Sequence, residues 1–108
     1  MDARMKEVIN IYVKRISSDN DVLRIYLFGS CVYGEPNEKS DIDLMVVIDD
    51  AIHTIKKSTA LLKSLRGYRT VPIDMLVNRI SDFEKSQTFP SLQKTIKEKG
   101  FLLFERKY

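Results

Sequence analysis

FGSCVYGEPNEKSDIDLMVVI, from Phe28 to Ile48, holds a Gly-Ser pair, ten intervening residues and then Asp-x-Asp. Asp41 to Ile48 (DIDLMVVI) is dominated by branched aliphatic residues and reads as a strand. Alternate side chains of a strand share a face, so Asp41 and Asp43 project together while Ile42 and Leu44 point the other way. Two carboxylates side by side in so apolar a strand repel each other and resist burial. A divalent cation between them removes that cost, and Mg2+ takes such oxygen ligands with substrate phosphate completing its shell. Alone, Asp41 would pass for a cap at a loop–strand junction. Asp43, between Ile42 and Leu44, has no such ordinary role.

At the other end of the stretch, Val22 to Phe28 (VLRIYLF) reads as a strand running directly into Gly29-Ser30. Glycine there lets backbone approach a ligand closely. A short helix starting at Ser30 would aim free amides at the same point, and the Ser30 hydroxyl adds a donor for phosphate. A lone Gly-Ser is ordinarily just a strand-to-helix turn; the Asp pair downstream gives this one weight. Gly34 to Ser40 is polar loop, with Gly34 turning the chain back toward the Asp strand.

Further out, Met5, Val8, Ile9, Tyr12, Val13 and Ile16 recur at helical steps and predict an amphipathic helix, ended by Ser17-Ser18-Asp19-Asn20. Ile52, Ile55, Thr59, Leu62 and Leu65 predict a second core-facing helical stripe, stopped near Gly67. Val71 to Val77 (VPIDMLV) reads as a third, central strand. Ser81 to Lys99 is mostly helical, broken near Pro90 and ended by Gly100. The tail FLLFE fits either a short strand or an apolar segment packed on the body. The order α-β-β-α-β-α describes one domain over residues 1–108, an α/β (α+β) arrangement with a small sheet covered by helices.

Asp74 repeats the anomaly of Asp43, being flanked by Ile73 and Met75 in a strand. On an edge strand it would simply be solvated. Beside Asp41 and Asp43 it is the third carboxylate that a two-metal site requires, sharing a metal and helping to deprotonate an incoming hydroxyl.

The bulk properties leave room for this chemistry. The chain has 108 residues, 44% of them hydrophobic, and a net charge of +3 from 18 basic and 15 acidic residues. That is one modest core, for which self-association or a stable partner would be unsurprising. So small a charge gives no argument for nucleic-acid binding. A single cysteine, Cys31, excludes an internal disulfide, and with the single histidine, His53, it offers no zinc site. No apolar run reaches the ~20 residues of a membrane span, and the charged N-terminus is unlike a signal peptide. A soluble, cytoplasmic protein is expected. Cys31 reads as packing, His53 as a surface or capping residue, Tyr33 as an exposed loop residue that could stack on a base, and Lys94, Lys97 and Lys99 as a solvated face.

FGSCVYGEPNEKSDIDLMVVI resembles the signature of the polymerase-beta-type nucleotidyltransferase superfamily, and PIDMLV resembles its third-carboxylate strand. Within it the chain is most similar to the minimal nucleotidyltransferases (MNT proteins) encoded beside HEPN-domain toxins, a similarity that extends to the IKEKGFLLFE tail. The resemblance implies a mixed sheet with flanking helices and no separate acceptor-binding domain. It implies Mg2+, with two ions, and ATP as substrate, AMP passing to a tyrosine hydroxyl of a partner HEPN ribonuclease that is thereby silenced, so that the chain acts as an antitoxin. Gly29 and Ser30 match the phosphate-binding pair, and Asp41, Asp43 and Asp74 the metal ligands. Family members often carry arginine between the Ser and the second Gly, where this chain has Cys31-Val32-Tyr33. Lys39 or a partner could supply that charge. The alternative is a non-catalytic module that neutralises its partner by contact over a vestigial nucleotide site.

Overall fold

The computed structural model describes residues 3–33 and 41–107. The expectations placed on Gly34, Lys39 and the loop to Ser40 lie outside the described residues, as does the Tyr33 side chain. Helix α1 (Ala3–Ser17) leads into strand β1 (Val22–Phe28), a single helical turn α2 (Ser30–Tyr33) and strand β2 (Ile42–Ile48). Helix α3 (Thr54–Ser64) crosses to strand β3 (Ile73–Arg79). Helix α4 (Ile80–Lys85), a 3-10 turn, helix α5 (Leu92–Lys99) and strand β4 (Phe101–Glu105) follow.

The sheet order is β3-β2-β1-β4, with β1 antiparallel to both β2 and β4 and β2 parallel to β3. Mixed pairing follows from connection type: α3 makes the long crossover that a parallel pair needs. The tail FLLFE is thus a strand, paired with β1 through Arg24–Glu105 and Leu27–Phe101.

Alternation splits the strands between two cores. On one face Ile25, Leu27, Ile42, Leu44, Val46 and Ile48 pack against Val8, Ile9, Tyr12 and Ile16 of α1 and Leu61 and Leu65 at the end of α3. On the other, Tyr26, Met45 and Val47 meet Phe83 of α4 and Ile96 of α5, with Phe83 stacked on Tyr26 at 5.4 Å between ring centroids. The α1 stripe is as the sequence spacing predicts. Tyr12, fully buried, finds a partner for its hydroxyl in the backbone of Val71, from whose amide it accepts at 3.1 Å.

Two expectations are corrected. The α3 stripe is shifted: Ile52 and Leu65 pack on the core as expected and Leu61 joins them, whereas Ile55 is 72% exposed and Thr59 is exposed as well. Lys57, which a hydropathy pattern counts as outward, lies on the inward side with Leu61. It turns inward to pair with Asp19 at 2.7 Å and Asp21 at 2.8 Å, tying α3 to the α1–β1 turn. Strand β3 is also an edge strand rather than a central one. The chain returns through α4 and α5 to add β4 beside β1, so nothing among the described residues pairs with the outer side of β3.

The Lys57 clamp makes a prediction. Burial alone would push the Asp19 carboxyl up, but the hydrogen bond from Lys57, the amide of Asp21 and the charges of Lys57 and Arg106 hold it below its ordinary value of 3.8. A depressed carboxylate stabilises the fold above its ordinary pKa, and that contribution is lost as pH falls from 3.8 through the folded value. Lys57→Met is expected to cost about 1 kcal/mol at neutral pH, a modest figure because Asp21 is partly solvated, or roughly 5 °C in Tm. The deficit should shrink as pH drops below 3.8. Thermal melts of both proteins across that range test it, and a deficit independent of pH would sink the clamp.

Candidate active site

β1 ends where β2 and β3 begin, so one end of the sheet gathers three chain segments. Phe28 pairs with Asp43, and Asp43 pairs with Asp74 across the parallel register. Paired residues on neighbouring strands point to the same side, and adjacent strands run about 4.8 Å apart. Asp43 and Asp74 therefore stand side by side on the face of Tyr26 and Met45, away from α1 and α3. Asp41, two residues before Asp43, comes immediately before β2 and is exposed. Asp74, second residue of an edge strand, is exposed as well, which is what an edge position predicts.

Asp43 is half-buried, and its carboxyl is pushed above the ordinary value of 3.8, first by burial and then by the negative charges of Asp74 and Asp41. Burial leads, and the two neighbouring acids are near enough for their charges to add to it. Among the described residues no three His, Cys, Asp or Glu side chains close into a ready-made metal cage. The three acids form a row across the strand ends. Such a row fits Mg2+, which is held by one or two carboxylates with water and phosphate oxygens filling the remaining positions.

Gly29 forms the other wall. Its φ of +78° is in the left-handed region, and a Cβ built on it would lie 2.0 Å from Oδ2 of Asp43. The Gly corner and the half-buried carboxylate are thus in direct apposition. The sequence predicts glycine here for ligand approach; the structure adds that Asp43 itself needs the space, a constraint legible only once Phe28 is known to pair with Asp43. Ser30 is exposed and opens α2, whose four residues are too few for a helix dipole to matter. At this corner the Val32 amide donates to the Gly29 carbonyl oxygen at 2.9 Å, and Ser30 stands exposed beside it.

Cys31 is buried, its Sγ 3.7 Å from the carbonyl oxygen of Asp41. Burial, then the charge of Asp43, pushes the thiol up, which favours the neutral form expected of a packed residue. His53 caps α3, its Nδ1 accepting from the amide of Lys56 at 3.4 Å. Lys97 pairs with Glu84 at 3.6 Å on the solvated face of α5, and Lys94 is half-buried. No helix among the described residues is long and apolar enough to cross a membrane.

Comparison with known proteins finds likenesses in sequence and in fold. The "putative protein adenylyltransferase" of Methanocaldococcus jannaschii is 29% identical over 97 residues, which is 89% of this chain and 91% of that protein. A nucleotidyltransferase structure from Sulfolobus solfataricus superposes with a TM-score of 0.65 at 19% identity, covering 95% of this chain and 82% of the other. A structure described as a "putative minimal nucleotidyltransferase" gives 0.55 at 23% identity, covering 92% of this chain and 88% of the other. At those identities the two structures establish a shared fold. Residues 10–108 match the family described as "Polymerase beta, Nucleotidyltransferase".

Proposed function

This chain belongs to the polymerase-beta nucleotidyltransferase family, and from that premise we propose that it moves AMP from ATP onto a hydroxyl of a partner protein. The observation that carries the reading is the row Gly29, Asp43, Asp74: a left-handed glycine, a half-buried acid with a raised pKa, and an exposed acid on the outermost strand. The Methanocaldococcus protein, matched over most of both lengths, favours a protein acceptor over a small molecule.

In this reading Gly29 and Ser30 seat the triphosphate, and Asp41, Asp43 and Asp74 hold Mg2+. Bound Mg2+ would neutralise the phosphates and the charge that develops in the transition state. Asp74 lies where an acceptor hydroxyl can arrive from solvent, and its carboxylate accepts the hydroxyl proton. The acceptor oxygen forms a bond to the α-phosphorus, the bond from that phosphorus to the bridging oxygen breaks, and pyrophosphate leaves with its electron pair. Gly29 and Ser30 hold the triphosphate in line for that displacement. By its likeness to the MNT group, the acceptor is a tyrosine of a HEPN-domain toxin and the outcome is neutralisation.

Incubation with Mg2+ and ATP labelled at the α-phosphate beside that partner should place label on a partner tyrosine. Label should vanish in Asp41→Ala/Asp43→Ala. Equal neutralisation of the partner by wild type and the double variant would replace the enzyme with a masking module, a reading favoured by the lack of any cation in Cys31-Val32-Tyr33.

A further inference from the structure

On the outward side of α3, Ile55 and Thr59 are exposed and Leu62 is half-buried. Ile55, Thr59 and Leu62 follow one another at helical steps and lead to Arg66 just past the helix end. Thr59, Leu62, Lys63, Arg66, Gly67 and Arg69 line an open groove of about 460 Å³. Gly67, at φ +86°, turns the chain so that Arg66 and Arg69 both border it. Lys63, Arg66 and Arg69 are exposed, and among the described residues none of them is in an ion pair. An apolar ridge thus ends in three unpaired cations. None of these residues belongs to the carboxylate row, which lies on the face of the sheet away from α3. Arg69 precedes Asp74 by five residues, so their backbones are within roughly 18 Å of each other.

We propose that this groove, together with Ile55 beyond it on the same side of α3, docks an amphipathic, acidic segment of the protein acceptor, with apolar side chains on Ile55 and Leu62 and carboxylates on Lys63, Arg66 and Arg69. The inference rests on the reading of the chain as an enzyme acting on a protein hydroxyl, and it gives that acceptor a surface whose backbone at Arg69 lies within roughly 18 Å of Asp74. A nucleic acid would satisfy the cations but leave the Ile55–Leu62 ridge wet, whereas a protein surface with an apolar core and an acidic rim satisfies both. A symmetric pairing of two copies would set like charges against each other.

The test uses the full chain and three fluorescent probes: a short helical peptide with leucines at helical spacing and a glutamate-rich end, the same peptide with glutamine for glutamate, and a single-stranded RNA of equal charge. Anisotropy should show the acidic peptide binding and the glutamine peptide binding at least about tenfold more weakly. Arg66→Glu/Arg69→Glu and, separately, Ile55→Asp should each weaken the acidic peptide to a similar degree with unchanged melting curves. In AMP transfer to the partner, the double variant should raise KM while leaving kcat and ATP binding unchanged. The proposal fails if the peptide ignores charge reversal, if RNA binds the groove more tightly than the peptide does, or if the double variant instead abolishes self-association. Unchanged KM in the double variant sinks the docking and spares the enzyme. Peptide binding that responds to both variants, in a chain that labels no acceptor, sinks AMP transfer and spares the groove.

Discussion

Asp43→Asn is expected to cut AMP transfer by about a thousandfold, ~4 kcal/mol of transition-state stabilisation, the scale of losing a metal-bridging carboxylate. The folded chain should at the same time become more resistant to heat. Both effects come from one cause. Asp43 is half-buried beside two other acids, and its raised pKa says that its negative charge is unfavourable in the free protein. Because the folded pKa is raised, the protonated form favours the fold: that advantage is complete below 3.8 and is lost as pH rises through the folded value. Asparagine keeps the shape and removes the charge, so its stabilising effect should appear at neutral pH and fade in acid. Mg2+ acts in the same direction. Added to the wild type at neutral pH it should raise Tm, and Asp43→Asn should blunt that rise. A variant with near-native transfer, or one whose Tm responds to Mg2+ as fully as the wild type, would remove Asp43 from the site.

Why the acids were legible while the α3 face was not comes down to the range of the signals. Asp41 and Asp43 announce themselves because strand alternation is local and a charged residue between Ile42 and Leu44 violates it. Asp74 does so by the same rule, although its edge position could not be read, since strand order depends on where β4 returns, some thirty residues later. The shift of the α3 stripe was hidden because Lys57 pairs with Asp19 and Asp21 across a turn, and no periodicity reports a long-range ion pair. A hydropathy pattern misses a lysine that faces inward, and so it places Ile55 and Thr59 in the stripe although both are exposed. The apposition of Gly29 and Asp43 has the same character: each residue is conspicuous alone, and only register couples them.

That coupling makes Gly29→Ala the second large effect, with an expected loss of about 2–4 kcal/mol in stability and about a hundredfold in transfer. Two costs add. Alanine at φ +78° carries the left-handed penalty of about 1–2 kcal/mol wherever it occurs. Its Cβ also meets Oδ2 of Asp43 at 2.0 Å, so either the corner or the carboxylate must shift. A displacement near 1 Å at the reacting end of the site is enough for a hundredfold loss. The two costs separate in a double-mutant cycle. Asp43→Asn retains the bulk of the side chain and should leave the stability penalty of Gly29→Ala intact. Asp43→Ala removes the bulk and should return part of that penalty, a coupling of roughly 0.5–3 kcal/mol, with the left-handed strain remaining. Equal penalties in both backgrounds would mean that Gly29 is required for its backbone conformation alone, and the carboxylate would have room that the structure denies it.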